Sequence, residues 1–172
     1  MYNIISFSRR AKMINIRVSE EKDKKRIVDL LNQEGIRDIN LNYKNLNNSM
    51  VVCDGGEVIG YTDYNEIEDE STGVIETLII KKEFQGQNIG DGLIKALLNL
   101  ADKRRIKKVY VGANNKNSLF LEKVGLTKRK LHVSEGVVKH ILKGKESRKQ
   151  EDIEVFEAIL PDFFNGACKG RG

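Results

Sequence analysis

A strand, a short glycine-bearing loop and a helix follow one another without a break from Val74 to Leu93, VIETLIIKKEFQGQNIGDGL. Val74, Ile75, Leu78, Ile79 and Ile80 are branched and apolar, the composition of a buried strand. Gln85-Gly86-Gln87-Asn88-Ile89-Gly90 is the loop. From Ile89 the apolar positions fall at Leu93, Leu97 and Leu100, widened by Ile94, Leu98 and Ala101, which is helical spacing. Small residues at a helix N-terminus present unpaired backbone N–H groups at the positive end of the helix dipole. Such a place suits an anion, a pyrophosphate among them. There is no G-x-x-x-x-G-K-[ST] and no G-x-G-x-x-G after a strand, so neither the P-loop nor the dinucleotide fingerprint is present.

The rest of the chain builds a sheet around this unit. Ile14 to Val18 reads as a first strand, and Ser19 as the N-cap of a helix carrying Ile27, Leu30 and Leu31 that stops before Gly35. Ser49 to Asp54 and Glu57 to Tyr64 are strands joined at Gly55-Gly56, a hairpin signal. Ile36 to Asn48 is ambiguous, and Asn65 to Thr72 reads as an acidic loop. Val74 to Ile80, the helix from Ile89 and the strand Lys107 to Gly112 form a β-α-β unit, which predicts parallel strands and a right-handed crossover. A terminal hairpin is expected from Thr127–Val133 with Val137–Leu142. The fold class is α/β: a mixed, mostly antiparallel central sheet with one parallel β-α-β unit, flanked by helices.

A second motif lies downstream. IKKVYVGA, Ile106 to Ala113, leads into NNKNSLFLEKVGL, Asn114 to Leu126. The first segment resembles the Q/R-x-x-G-x-G/A signature of the GNAT superfamily of N-acetyltransferases. The literal register is Gln87 to Gly92. The register from Gln85 to Gly90 places Asn88 at the first glycine, and the flanks Ile80 and Leu93 favour it; Asn tolerates left-handed backbone better than most residues. Lys82 stands where the family often has proline. The second segment resembles the family's N-x-x-(A)-x-x-(F/L)-Y-E-K-x-G-F, matched at Phe120, Glu122, Lys123, Gly125 and Leu126. The resemblance spans about Met13 to Leu142.

The resemblance implies acetyl-CoA as co-substrate, with no metal. It implies a pyrophosphate held on the loop Gln85-Gly86 and the backbone amides of Gln87, Asn88, Ile89, Gly90, Asp91 and Gly92. The pantetheine arm would pair with the edge of Leu78, Ile79 and Ile80, between strands that splay to admit it. Asn114 and Asn117 would touch it further along. The reaction implied is direct attack of a primary amine on the acetyl group in a ternary complex. An amine of the lysine type titrates near roughly 10.4, so attack needs a base. Many family members carry a glutamate on the cofactor strand, often at the position of Val74. Here Glu76 shares that face, about 6.6 Å along by strand rise, and is the base expected. Asp63 and Tyr64 are weaker candidates for acceptor contacts. The family's general-acid tyrosine is replaced by Leu121, which cannot donate a proton; Tyr110, Ser118 or water would serve in its place. That replacement keeps open a different reading, an acyl-CoA-binding module of weak or absent catalysis.

Composition bears on the remaining classes. The 172 residues, 40% hydrophobic and 32% charged, suit one soluble domain. No apolar run is long enough to span a bilayer, and MYNIISFSRRAKM has the wrong order of charge and apolar residues for a secretory signal. Residues 1–12 read as a frayed extension, with Met13 an alternative start to Met1; residues 13–142 as the acetyltransferase domain; residues 143–172 as a charged linker and an apolar extension. That extension, IEVFEAILPDFF, must cover its apolar side chains on its own core, in a homodimer contact or over the acceptor pocket. Cys53 reads as a core residue, and two distant cysteines form neither a metal spacing nor a disulfide framework, which points to a reducing cytoplasm. His132 and His140 have no ligand spacing and fall in the expected hairpin. The net charge of +5 clusters at Lys103–Lys108, Lys128–Lys130 and Lys139–Lys149. Without an RNP-type aromatic motif it reads as a solvated surface rather than a nucleic-acid site.

Overall fold

The computed structural model describes residues 13–36, 41–67, 71–114, 116–130, 132–143 and 153–167. Seven strands form one sheet in the order β1-β2-β3-β4-β5-β7-β6: β1 is Ile14–Val18, β2 Ser49–Asp54, β3 Glu57–Ile67, β4 Thr72–Ile80, β5 Lys108–Ala113, β6 Thr127–Lys128 and β7 Glu154–Ile159. All neighbours are antiparallel except β4 and β5. The helices are α1 (Lys24–Gln33), α2 (Tyr43–Asn47), α3 (Ile89–Lys103), α4 (Ser118–Val124), α5 (Glu135–Leu142) and α6 (Asp162–Ala167). The fold is thus the mixed, mostly antiparallel α/β arrangement with a parallel β4-α3-β5 unit.

Strand alternation sends side chains to two faces. On one, α3 buries Leu93, Ile94, Leu97, Leu98 and Ala101, and α4 buries Leu121 and Val124, against Val52, Ile59, Tyr64, Ile75, Val111 and Phe156 of the sheet. On the other, α1 packs Ile27, Leu30 and Leu31 on Val51, Cys53, Val58 and Tyr61. There too α5 packs Val137 and Ile141 on Val74 and Tyr110. The hairpin at Gly55-Gly56 forms, both residues having positive φ, +55° and +94°.

Three local readings change. Residues 65–67 and Thr72, read within an acidic loop, are strand, extending β3 and opening β4. Ser19 is not a helix cap. Its hydroxyl meets that of Ser49 at 2.7 Å, while a 3₁₀ turn at Glu21–Asp23 precedes α1 and is closed by Glu20 and Asp23. Asp23 is wholly buried. It accepts two bonds from Arg17, at 2.6 and 2.8 Å, and one from the Glu20 amide at 2.9 Å. The expected hairpin over Thr127–Val133 and Val137–Leu142 is the largest correction. Only Thr127–Lys128 is strand, paired with Glu157 and Phe156, and Glu135–Leu142 is helix. Ser134 caps that helix, accepting from the Val137 amide, and Val137 and Ile141, four residues apart, form its buried stripe.

The apolar segment after residue 152 supplies β7, which lies between β5 and β6 with Phe156 wholly buried in the α3 face. Among the described residues no helix is long and apolar enough to cross a membrane.

Candidate active site

β4 and β5 pair over only four positions, Thr72↔Lys108 to Ile75↔Val111, although β4 runs on to Ile80. β5 turns its last residues, Gly112 and Ala113, to Val155 and Glu154 of β7. On the other side of β4 the register with β3 slips between Tyr64↔Ile75 and Asp63↔Thr77, leaving Glu76 as the extra residue of a bulge. A bulge bends and twists the strand that carries it. The bulge falls where β4 leaves β5, so the sheet opens at Glu76, and the β5-facing edge of Leu78, Ile79 and Ile80 has no strand partner among the described residues.

On the α3 face this opening borders a cavity of about 760 Å³. Leu78, Ile80, Gln85, Gly86, Asn88, Gly90 and Asp91 line one side, and Lys116, Asn117, Leu119, Phe120, Lys123 and Val124 the other. Asn88 is the residue before α3 and has left-handed backbone, φ +60°, ψ 10°. Its side chain makes no cap bond, and the first bond of the helix runs from the Gly92 amide to the Asn88 carbonyl. The amides of Ile89, Gly90 and Asp91 therefore have no intrahelical acceptor and stand at the positive end of a 15-residue helix. Gly90 is needed for approach as well: a Cβ there would lie 3.1 Å from the Phe120 ring.

The predicted cofactor residues divide. Leu78, Ile80, Gln85, Gly86, Asn88, Gly90, Asp91 and Asn117 come together on the cavity. Ile79 turns to the α1 face, the Ile89 side chain is buried in the core while its amide stays at the helix start, Gly92 lies against Ile16, and the Gln87 side-chain Nε2 donates to the Glu83 carbonyl. Asn114 acts locally: its side-chain oxygen accepts from the Lys116 amide, and its own amide donates to the Asn117 side chain. Gln85 donates to the Ile80 carbonyl at 2.9 Å, fixing the loop to the end of β4. Sequence reasoning missed Lys116, Leu119 and Lys123 as lining residues. Leu119 and Lys123, four apart, lie on one side of α4 with Lys116 in the turn before it, and that helical spacing was a usable signal.

A second group of polar residues lies through the opening, on the α1 and α5 face. Glu76 has a side chain 15% exposed; its Oε1 is 2.5 Å from Nδ1 of His140 and its Oε2 3.4 Å from Nζ of Lys143. His140 comes from α5, the helix that the sequence reading took for a strand. Asp63 is 5% exposed. It accepts from the Tyr61 hydroxyl at 3.1 Å and from the Thr77 amide at 3.0 Å. Burial pushes its carboxyl up to about 6; the nearby Glu76 charge acts in the same direction, and the hydrogen bonds oppose it. Tyr61 is raised beyond the phenol range, by burial first and by Asp63 next. Tyr64 is wholly buried toward α3 and lies away from this group.

The positions considered for a general acid are otherwise engaged. Leu121 is 1% exposed, part of the α3-face core. The Ser118 oxygen is 2.6 Å from Glu154 Oε2 and 2.8 Å from the Asn114 carbonyl, and Tyr110 is buried under α5. Among the described residues no cluster of His, Cys, Asp and Glu could hold a metal.

The family model for the acetyltransferase (GNAT) family matches residues 13–126, a span that includes the bulge, the α3 loop and α4. The chain belongs to the acetyltransferase (GNAT) family. Solved GNAT-like structures agree in fold. N-acetylglutamate synthase from Neisseria gonorrhoeae, complexed with coenzyme A and N-acetyl-glutamate, superposes with TM-score 0.63 at 16% identity, over 86% of this chain and 35% of that one. This chain thus spans about a third of that synthase's length. Rv2747 from Mycobacterium tuberculosis, in complex with CoA and NLQ, gives TM-score 0.65 at 16% identity, over 85% of this chain and 99% of that one. Diaminobutyrate acetyltransferase EctA from Paenibacillus lautus, bound to L-2,4-diaminobutyric acid and coenzyme A, gives 0.60 at 14% identity, covering 85% and 94%. No curated protein sequence matches the chain.

Proposed function

We propose that this GNAT protein transfers the acetyl group of acetyl-CoA to a primary amine by direct attack in a ternary complex. The observation that carries the reading is the opening of the sheet at Glu76. It lies between a cavity at the α3 N-terminus and a carboxylate-bearing group on the opposite face. In this reading the uncapped amides of Ile89, Gly90 and Asp91 hold the pyrophosphate, with Lys116 and Lys123 supplying positive charge. The free edge of Leu78 to Ile80 pairs with the amides of the pantetheine arm, as an added strand would. The thioester then lies at the bulge, and the amine approaches from the side of Glu76 and Asp63. Glu76 is the carboxylate around which proton removal is built. A reducing cytoplasm is the compartment in this reading. The coenzyme A named in the neighbours' complexes is consistent with the co-substrate.

Calorimetric titration of acetyl-CoA, with ATP as control, and thiol release over a panel of amines test the proposal. Micromolar binding of acetyl-CoA alone, with amine-dependent thiol release, is expected. No binding to a folded sample refutes it. Leu121, buried where the family has its tyrosine, favours a second reading, an acyl-CoA-binding module; binding without thiol release from any amine would establish that one instead.

A further inference from the structure

Glu76 is a poor candidate for a base that works alone, because both of its oxygens are engaged. Oε1 lies 2.5 Å from Nδ1 of His140 and Oε2 3.4 Å from Nζ of Lys143. A carboxylate beside one ring nitrogen selects the imidazole tautomer that carries its proton there. The lone pair is then on Nε2. His140 is the more exposed partner, with 28% of its side chain accessible against 15% for Glu76. A half-buried carboxylate orienting a more accessible imidazole is an arrangement in which the imidazole moves the proton and the carboxylate holds it in place. We infer that Nε2 of His140 takes the proton of the acceptor amine and that Glu76 is a positioning residue. The inference rests on the acetyl-transfer reading above.

The fold supports the assignment. α5 is held on the sheet by Val137 and Ile141 over Val74 and Tyr110. Val74 and Glu76 share a face of β4, so docking the helix sets the histidine beside the glutamate. The titratable groups packed around the pair include Tyr61 and Asp63 on β3, Tyr110 on β5, and Lys139 and Lys143 beside His140 in sequence. In the step itself, an ammonium proton passes to Nε2 and the freed nitrogen pair attacks the acetyl carbonyl carbon. The C–S bond then breaks with its electron pair on sulfur. The nitrogen's second surplus proton neutralises the thiolate, and the imidazolium returns its proton to solvent. No proton donor is needed at Leu121.

The test has two arms. The chain has two histidines, so ¹⁵N resonances of its imidazoles can be assigned by His132→Gln. The neutral His140 ring is expected as the Nδ1–H tautomer in the wild type and as a mixture in Glu76→Ala. An Nε2–H tautomer in the wild type overturns the inference, whether or not any amine turns over. In the kinetic arm, His140→Gln is expected to lower kcat about 10²- to 10⁴-fold. It should leave acetyl-CoA affinity within about threefold. Added imidazole should restore activity to His140→Ala and not to Glu76→Ala. Wild-type kcat in His140→Gln, with Glu76→Gln inactive, overturns the inference while leaving acetyl transfer standing. A wild type that binds acetyl-CoA and acetylates nothing overturns acetyl transfer itself.

Discussion

Replacing Gly112 with alanine should loosen α5 from the sheet and separate His140 from Glu76. An alanine Cβ at Gly112 would sit 2.4 Å from Cγ2 of Ile141 and 3.3 Å from Cγ2 of Ile153. Ordinary carbon contacts are about 3.5–4.0 Å. Cγ2 is bonded directly to Cβ, so no rotation of the isoleucine tip relieves the overlap, and α5 must retreat by about 1 Å. A retreat of that size stretches the 2.5 Å contact between His140 and Glu76 past hydrogen-bond range. Overpacking of this kind costs about 2 kcal/mol, which in a chain of 172 residues lowers Tm by about 4–8 °C. Calorimetric melting should show that loss, and kcat should fall while acetyl-CoA affinity holds, because the cavity lies on the other face. Ile141→Ala alone should cost about 2–4 kcal/mol. In the double variant the obstructing methyl is gone, so the combined loss should fall short of the sum by about 1–2 kcal/mol. Strict additivity, or a Gly112→Ala variant as stable as wild type, would refute the packing argument.

Three further outcomes follow from the geometry. Asp63 is held at about 6 against an ordinary 3.8, so the folded state binds the extra proton and stability falls as pH rises from about 4 to 6, by roughly 3 kcal/mol in all; Asp63→Asn should flatten that part of a Tm-against-pH curve, and an unchanged slope would exclude Asp63 as its source. Asp23 is the reverse case. Hydrogen bonding from Arg17 holds its carboxyl below 3.8, so its contribution is complete above that pH and is lost as pH falls further; Asp23→Ala strands Arg17 and should cost about 3 kcal/mol at pH 7 by urea unfolding. Gly90→Val would push a branched side chain toward Phe120 and cover the first-turn amides; acetyl-CoA affinity should drop at least about tenfold with circular dichroism unchanged, and full affinity would remove those amides from the binding site.

The sheet was legible because its strands announce themselves. Gly55-Gly56 marks a turn that only residues tolerant of positive φ make easily, and the apolar spacing from Ile89 separates helix from strand. Asn88 could be read as the left-handed residue from its own chemistry, and its φ of +60° agrees. What failed was Thr127 to Leu142. A Val-rich stretch reads as strand by composition, but Val137 and Ile141 repeat at helical spacing and Ser134 caps them. That error hid His140, because a residue on an outlying hairpin gives no reason to look toward Glu76. The bulge at Glu76 was illegible for another reason: it depends on the register of β3 against β4, which no local pattern encodes. Tyr64 illustrates the same limit, since the slip turns it into the core beneath α3.

The place of β7 sets a timetable. β5 ends its pairing with β4 early and takes its other neighbour from residues 154–159, and among the described residues β6 pairs with that same strand alone. During synthesis, β1 to β4 and α3 can assemble while those residues are still to come. Until they arrive, β5 shows a bare hydrogen-bonding edge, and the groove reserved for Phe156 stands open to water. A nascent chain paused between α5 and β7 therefore carries both features that invite strand addition from a neighbouring molecule. The ribosome must deliver the strand late, and the sheet closes from its middle rather than from its rim.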